Sequence, residues 1–542
     1  MKNMRYIYAL CSGLMLGAAF PPLPTWFGAF IGFIPIILAI LTPTNDKYHN
    51  RLLYICFFVM HGISNWWVSS WQTESDPFLF VSGFALWLGH PFFFMLPFVG
   101  MRFLRKRFGD AVGLIALPFL WTAFEWLHSL GDLSYPWLSL GYTQAYNTVW
   151  VQIAEIAGVW GVGFVLVSIN VLLASLLKEI IEKRSIHWRI LVSARLIAAL
   201  ALCVLPWYYG QIRLPEIAAL ESKAPHIVAG VIQPNINPWK KWQGSSFDQI
   251  AAHQKIQDSL NALQHLDLAL WSETGVPYLG LTNSNPEGLE FLRPWINDSH
   301  TALLTGFSEA VIYKKQDAPY YAKPIPNDLS IMGNFYNAAI LMEPRDMALP
   351  LKAPVHRKMR LTPFGENIPF GDIFPFLERW LQWGVGISTW SKGKVQKPLT
   401  IAVGTGDSLR LGCIICIESV YPGFVKNYAE ADANLLAVIT NDAWYNYTFG
   451  PEQHYRISAI RAIENRRAIV RCANSGVSGF ISPNGMSYKE LQPYIAAGLS
   501  CKVPLLTEKT LYVRWGDYLP MACTVVGALL LFVGYLRKKN IP

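Results

Sequence analysis

Apolar runs of about 20 residues constrain this chain most, because backbone inside a bilayer must satisfy its own hydrogen bonds, which only helices and closed barrels achieve. Seven such runs precede the middle of the chain, at roughly 5–20, 27–43, 51–71, 78–101, 111–130, 150–177 and 190–208, and an eighth covers about 517–536. The 542 residues are 52% hydrophobic and 15% charged, whereas soluble domains carry about 25% charged residues. The N-terminal MKNMRYIYALCSGLMLGAAF has the basic start and apolar core of a leader peptide, but PPLPTWFGAF runs straight on into the next apolar stretch. It therefore reads as the first span. Three units follow: a membrane domain with seven transmembrane helices over 1–212, a soluble-type block over 225–505, and a last transmembrane helix over 515–538.

The net charge of +9 does not point to nucleic acid, because the positive residues flank apolar runs. Lys2, Arg5, Lys47, Arg51, Arg102, Arg105, Lys106, Arg107, Lys178, Lys183, Arg184, Arg189, Arg537, Lys538 and Lys539 all fall on one side if the N-terminus is cytoplasmic. The short loops on the other side (21–26, 72–77 and 131–149) hold no Lys or Arg, and carry Glu74, Asp76 and Asp132. By the positive-inside rule both termini are cytoplasmic and the large block lies outside, which in a bacterium is the periplasmic face of the inner membrane. Trp66, Trp67, Trp71, Tyr135 and Trp137 gather at that outer interface as an aromatic belt. Glu125 and His128, near the outer end of the fifth run, are either functional or snorkelling.

From about Pro225 the pattern becomes β-type runs alternating with helical stretches, which predicts an α/β layered fold. IVAGVIQPN, LDLALWSE, TALLTGFSE, YNAAILMEP, LRLGCIICIES and ANLLAVITND read as strands. SFDQIAAHQKIQDSLNAL reads as a helix burying Ile250, Ile256, Leu260 and Leu263, and HYRISAIRAIENRRAIVRCA as another helix. Polar residues close several strands: Glu273, Cys416 with Glu418, and Asn441 with Asp442. Sites in α/β sheets gather at strand carboxyl ends, although polar loops also begin there.

Cys413 and Cys416 form a CxxC, but a spacing of three on a strand points the two thiols to opposite faces. No second CxxC or nearby histidine pair completes a zinc set. Cys416 is then either a buried core thiol or a nucleophile, and a nucleophile needs a base or a cation. None of the histidines of the block, His454 included, sits in a recognisable cysteine-protease context. A carboxylate base with a lysine is the other route.

LWSETGVP with Glu273, HRKMRLTPFGENIPF with Lys358 and CIICIES with Cys416 resemble, in order and spacing, the Glu–Lys–Cys triad of the nitrilase (carbon–nitrogen hydrolase) superfamily. EWLHSLGDLSYPWLSLGY, VIQPN, NFYNAAIL, PFGE and NDAWYNYTFGPEQHYRISAIRAIENRRAIVRCANSGVSGFISPNG extend the resemblance over almost the whole chain, to the membrane-bound branch, the apolipoprotein N-acyltransferases. The resemblance implies a polytopic α-helical membrane domain joined to an α/β nitrilase-like domain, an αββα sandwich, with no cofactor and no metal. It implies that Cys416 takes an acyl chain from a membrane phospholipid as a thioester. Glu273 would be the general base, and Lys358 with the backbone N–H of Ile417 would hold the oxyanion. The acceptor would be the α-amino group of a diacylated apolipoprotein. Glu366 and Glu418 would support the site, Glu418 by sharing a strand face with Cys416, and Glu366 by keeping Lys358 charged or by capping loop N–H groups. Trp444 and Tyr445 would grip acyl chains or act as a lid, while Trp239 and Trp242 would rest on the bilayer; plain interfacial anchoring is the other reading of all four. The chain departs from the family's usual residues at Ser272, His356, Ile417 and His128, and the sequence leaves open whether Cys472 and Cys501 pair. A tethered amidase using water as acceptor shares the triad, and a transporter or receptor is the alternative without chemistry.

Overall fold

The computed structural model describes residues 2–42, 45–71, 77–182, 188–241, 245–281, 292–319, 322–325, 328–344, 353–371, 373–374, 390–403 and 407–537. Glu74, Asp76, Lys183, Arg184, Trp242, Lys538 and Lys539 lie outside them.

The N-terminal half is helical: α1 (Lys2–Ala18), α2 (Ile34–Leu41), α3 (Asp46–Ser64), α4 (Leu79–Phe108), α5 (Asp110–His128), α6 (Ala154–Glu182) and α7 (Trp188–Lys223). Five helical stretches among the described residues are long and apolar enough to cross a membrane: Leu79–Phe108, Asp110–His128, Trp150–Glu182, Val192–Lys223 and Tyr518–Leu536. The runs at 5–20, 27–43 and 51–71 fold as α1, α2 and α3, which are shorter or less apolar. α7 continues well past residue 208, carrying Pro206 and Pro215 within it, and feeds directly into the first strand. α6 is broken near its start at Ala157 and Gly158. Gly158 has φ +67°, and a Cβ there would lie 2.8 Å from the Tyr512 ring, so both backbone and space require glycine.

The second half holds two sheets. One joins β1 (His226–Gln233), β2 (Leu268–Trp271), β3 (Val276–Leu281), β4 (Ala302–Lys314), β5 (Lys323–Ile325), β6 (Asp328–Met342), β7 (Val355–Arg357) and β14 (Ala497–Pro504), in the order β14-β1-β2-β4-β6-β5 with β3 beside β4 and β7 beside β6. The other runs β13-β12-β11-β10-β9-β8, built from β8 (Leu399–Val403), β9 (Asp407–Ile415), β10 (Leu435–Thr440), β11 (Ile469–Ala473), β12 (Gly479–Ile481) and β13 (Ser487–Glu490). In each sheet the central strands are parallel (β1-β2-β4 and β9-β10-β11) and covered on both faces, so they read as continuous apolar runs.

Strand parity sorts the side chains into layers. Val231, Leu270, Leu304 and Leu341 meet Leu411, Cys413, Ile439 and Val470 between the sheets. The opposite face of the first sheet (Ala269, Trp271, Leu303, Phe307) is covered by α8 (Ser246–Leu263) and α9 (Leu292–Ser299). The opposite face of the second (Ile414, Leu436, Val438, Ile469) packs on α10 (Pro422–Glu430) and α11 (Gly450–Asn465). The result is the expected αββα order. Helix α11 is largely enclosed: its apolar residues Tyr455, Ile457 and Ile460 belong to one continuous core with Trp67, Trp121, Tyr142 and Val159 of the membrane half.

Polar contacts fix that junction. Gln453 Nε2 donates to the carbonyls of Pro21 and Ser64, both at 2.8 Å, and Gln453 Oε1 accepts from the indoles of Trp67 (3.1 Å) and Trp137 (2.8 Å). Arg466 pairs with Glu155 at 2.7 Å, and Glu464 accepts from the Val159 N–H at 2.7 Å.

Two helix expectations are corrected. HYRISAIRAIENRRAIVRCA is not one helix: α11 ends at Asn465, Arg466 turns left-handed (φ +47°), and IVRCA becomes β11. The reason is tertiary, since β-branched Ile469 and Val470 fill the slot between β10 and β12 while Arg466 is anchored on Glu155 and Gln152. In α8 the buried residues are Gln249, Ile250, His253, Gln257 and Leu260, and Leu263 is 85% exposed. Trp271 selects that face, stacking on His253 and donating to Gln257 at 2.8 Å.

Candidate active site

Glu273 stands just past β2 on a tight turn, with Thr274 left-handed at φ +50°. A Cβ on Gly306 would lie 2.4 Å from the Thr274 N and 2.9 Å from the Glu273 Cα, so only glycine lets β4 approach this turn. The carboxylate is spent on three donors. Oε1 accepts from Lys358 Nζ at 3.0 Å and Asn337 Nδ2 at 2.7 Å, and Oε2 accepts from the Asn441 N–H at 3.0 Å. Asn337 lies on β6 of the first sheet and Asn441 follows β10 of the second, so Glu273 bridges the sheets at their polar end.

Lys358 follows β7 and is 1% exposed. Its ammonium donates to Glu273 and, at 2.8 Å, to Glu366 Oε1. Burial works against the charge, but the carboxylates of Glu273 and Glu366 outweigh it and hold the lysine well above its ordinary value. Glu366 also accepts from Asn337 Nδ2 (3.1 Å) and, through Oε2, from the Thr362 N–H (2.8 Å). Glu366 therefore contacts both the lysine and an N–H of its own loop. Burial pushes this carboxyl up, and the Lys358 charge more than reverses that and holds it down.

Cys416 is not the last residue of a strand. β9 stops at Ile415, and Cys416 opens a tight 3-10 turn, Cys416–Val420, with φ +51°. A side chain in left-handed backbone costs about 1–3 kcal/mol and persists only where the surroundings impose it, a pattern that concentrates at functional sites. Burial, helped by the Glu273 charge, pushes the thiol well up, against the pull of Lys358. A thiol held protonated needs a base to act as a nucleophile. Cys413 stays on β9 inside the inter-sheet core.

The strand-face expectation for Glu418 is therefore corrected, because Glu418 lies on the same turn. It is fully buried and folds back to accept from the Ile415 N–H (2.8 Å), the Met359 N–H (2.6 Å) and the Arg360 N–H (3.3 Å), and it faces His356 Nε2 at 3.0 Å. It ties the lysine's segment to the cysteine's turn. Ile417, 5% exposed, has its N–H in the first turn of this helix, where no intrahelical partner exists. His356 is held between Glu418 and the Tyr428 hydroxyl (3.2 Å). Ser272 is 1% exposed.

Trp444 and Tyr445 sit on the turn Asp442–Tyr445. Trp239 meets Trp444 edge to face at 5.0 Å, and Tyr445 meets Trp67 of the membrane half at 4.7 Å. His128 and Glu125 lie apart from this cluster. His128 Nε2 is 2.7 Å from His90 Nε2, and Glu125 accepts from the Leu140 N–H at 2.7 Å. All eight cysteines are unpaired: Cys472 Sγ donates to the Ile232 carbonyl and Cys501 Sγ to that of Lys502. Among the described residues, no group of three or more His, Cys, Asp or Glu side chains is disposed to hold a metal ion.

Three residues here escaped the sequence reading. Asn337 had a usable signal, a polar residue on the β6 face that otherwise carries Ala339 and Leu341 into the inter-sheet core. Lys241 had none: it arrives from a distant loop, donates to Thr274 Oγ1 at 2.7 Å, and burial pulls its pKa down to about 7. His454 Nδ1 is 2.8 Å from Asp442 Oδ1, and its Nε2 reaches the turn of Cys416. Burial works against the Asp442 charge, but His454 and Arg471 outweigh it and hold the carboxyl down to about 2.

Residues 12–172 match the family description "Apolipoprotein N-acyltransferase N-terminal domain", and 229–493 match "Carbon-nitrogen hydrolase". The chain is 32% identical over 544 aligned residues to an apolipoprotein N-acyltransferase of Chlorobaculum tepidum, covering 98% of this chain and 97% of that one. The chain belongs to the apolipoprotein N-acyltransferase family. A second member of the family, from Geobacter metallireducens, is 27% identical and aligns over 98% of this chain and 96% of its own. Saccharomyces cerevisiae Nit3, of branch 10 of the nitrilase superfamily, is similar over 52% of this chain and 90% of its own, with 16% identity and a TM-score of 0.37. In this chain the region matching the carbon-nitrogen hydrolase description is joined to helices long and apolar enough to cross a membrane.

Proposed function

We propose that this chain moves a fatty acyl group from a membrane phospholipid, through a Cys416 thioester, to the α-amino group of the S-diacylglyceryl-cysteine at the start of a lipoprotein. Glu273 takes the thiol proton as Sγ attacks the ester carbonyl. The oxyanion is met by Lys358 and the Ile417 N–H. The C–O bond breaks, and the lysophospholipid leaves with the proton from Glu273. In the second half Glu273 takes a proton from the incoming amine, the nitrogen attacks the thioester, the C–S bond breaks, and the proton returns to sulfur. Trp239 and Trp444 close over the acyl chain.

One observation supports transfer between lipids most: the turn bearing Cys416 packs into the same continuous core as the membrane helices. Both substrates are then reached from the bilayer, and neither has to be extracted at about 0.8 kcal/mol per CH₂. In this reading the catalytic half faces the periplasm, held by seven spans before it and one after it in the bacterial inner membrane, with both termini cytoplasmic.

Hydrolysis with the same residues is the competing reaction. Detergent-solubilised protein is supplied with phospholipid and a synthetic diacylated lipopeptide. Triacylated lipopeptide is the expected product, absent in Cys416→Ser and at least about 100-fold slower in Lys358→Ala. Free fatty acid as the only product contradicts the reading, as does wild-type transfer by Lys358→Ala.

A further inference from the structure

The peptide that follows the nucleophile is gripped from behind by a buried polar chain. Ser419 Oγ donates to the Cys416 carbonyl at 2.9 Å. His454 Nε2 lies 2.7 Å from Ser419 Oγ and 3.1 Å from that same carbonyl oxygen. On its other side His454 Nδ1 is 2.8 Å from Asp442 Oδ1. Asp442 is fixed in turn by Thr440 Oγ1 (2.9 Å) and Arg471 Nη2 (2.8 Å). Ser419 is fully buried and His454 is 2% exposed, and both meet the Cys416 peptide at its carbonyl edge.

What it touches is the peptide between Cys416 and Ile417. A trans peptide is a rigid plane with C=O and N–H on opposite edges. Holding the oxygen at the back therefore aims the Ile417 N–H to the front. The left-handed backbone of Cys416 has to be imposed from outside, and this chain is in place to impose it. The grip is also referenced to the membrane half. The Trp137 ring lies 5.1 Å from the His454 ring, and the preceding residue, Gln453, is bonded to Pro21, Ser64, Trp67 and Trp137.

We propose that His454, backed by Asp442, is the positioning residue that aims the Ile417 N–H at the developing oxyanion, and that its seat on Trp137 and Gln453 sets this aim from the membrane half. The inference rests on the thioester reading of Cys416. It gives the membrane helices a part in shaping the reaction site beyond anchoring it.

Two reagents that meet the same sulfur separate aiming from general damage. Phospholipid acylates Cys416 through an oxyanion, whereas iodoacetamide alkylates it by displacing iodide, with no oxyanion. In the full-length protein, His454→Leu is expected to lose about 100-fold in the single-turnover acylation rate while alkylation stays within about threefold. His454→Gln, whose side-chain amide offers both a donor and an acceptor near the Nε2 position, is expected to recover to within about tenfold of wild type. Where His454→Leu does not fold, Ser419→Ala carries the test, with the same split at smaller size. Acylation at the wild-type rate in His454→Leu overturns the inference, and so does a parallel fall in both reactions. A wild type that is alkylated at Cys416 but never acylated there overturns the thioester reading itself, and this inference with it.

Discussion

Replacing Glu366 by glutamine keeps size and shape and changes only charge and hydrogen count. Its carboxylate faces three donors: Lys358 Nζ at 2.8 Å and Asn337 Nδ2 at 3.1 Å on Oε1, and the Thr362 N–H at 2.8 Å on Oε2. A glutamine has one acceptor oxygen and one NH₂, so in either orientation its NH₂ meets a donor. At least one bond is lost, and a hydrogen bond to a charged group contributes about 1.5–3 kcal/mol. The Lys358 ammonium then keeps the Glu273 carboxylate, at 3.0 Å, and draws the proposed base toward itself. If about 2 kcal/mol of this appears in the transition state, acyl-enzyme formation slows roughly 30-fold. Rapid-quench acylation with phospholipid, read by intact mass, measures it at saturating lipid. The apparent KM is expected to change little, because Glu366 holds the lysine and not the lipid. Acylation by Glu366→Gln within about threefold of wild type, together with a lowered melting temperature, means that Glu366 does not tune Lys358 and is only the cap of its own loop.

Asp442 sits at about 2 in the folded protein against an ordinary 3.8. Its contribution is present above the higher value and is lost as pH falls through the lower; the gap corresponds to about 2 kcal/mol. Melting in detergent is therefore expected to drop more steeply from pH 4 to pH 2 for wild type than for Asp442→Asn, and equal slopes contradict this. Lys241 is shifted the other way, to about 7 from 10.5, so burying its amine releases a proton and its hold strengthens as pH rises across that interval. The melting difference between wild type and Lys241→Met is expected to move in favour of wild type from pH 7 to pH 10, and a constant difference contradicts it. Gln453→Leu leaves the Trp137 indole and the Pro21 carbonyl without this partner, at about 1–3 kcal/mol each. A melting temperature unchanged in that variant means that the junction does not depend on this residue.

The sequence made the layering legible because local pattern decides it. Strand parity and apolar runs placed β1, β2, β4, β9 and β10, and the polar residues closing β2 and β10 do converge, with Glu273 accepting from the Asn441 N–H. What it could not show depends on partners far away in the chain. Cys416 and Glu418 read as neighbours on one strand face, but the strand ends one residue early and the turn sends Glu418 back to the lysine's segment. IVRCA follows a helical stretch without a break in composition, and only the empty place beside β10 makes it a strand. His454 carries no local signal, since its partners come from the turns after β9 and β10. Lys241 likewise becomes interpretable only once Thr274 is beside it.

The proposed transfer passes through a covalent intermediate at one sulfur. The most direct measurement is peptide mass spectrometry of the full-length protein incubated with phospholipid alone. One fatty acyl mass is expected on the peptide containing Cys416, released by hydroxylamine, missing in Cys416→Ser, and discharged when a diacylated lipopeptide is added. Triacylated product formed with Cys416 never acylated, or an acyl group found stably on another residue, contradicts it.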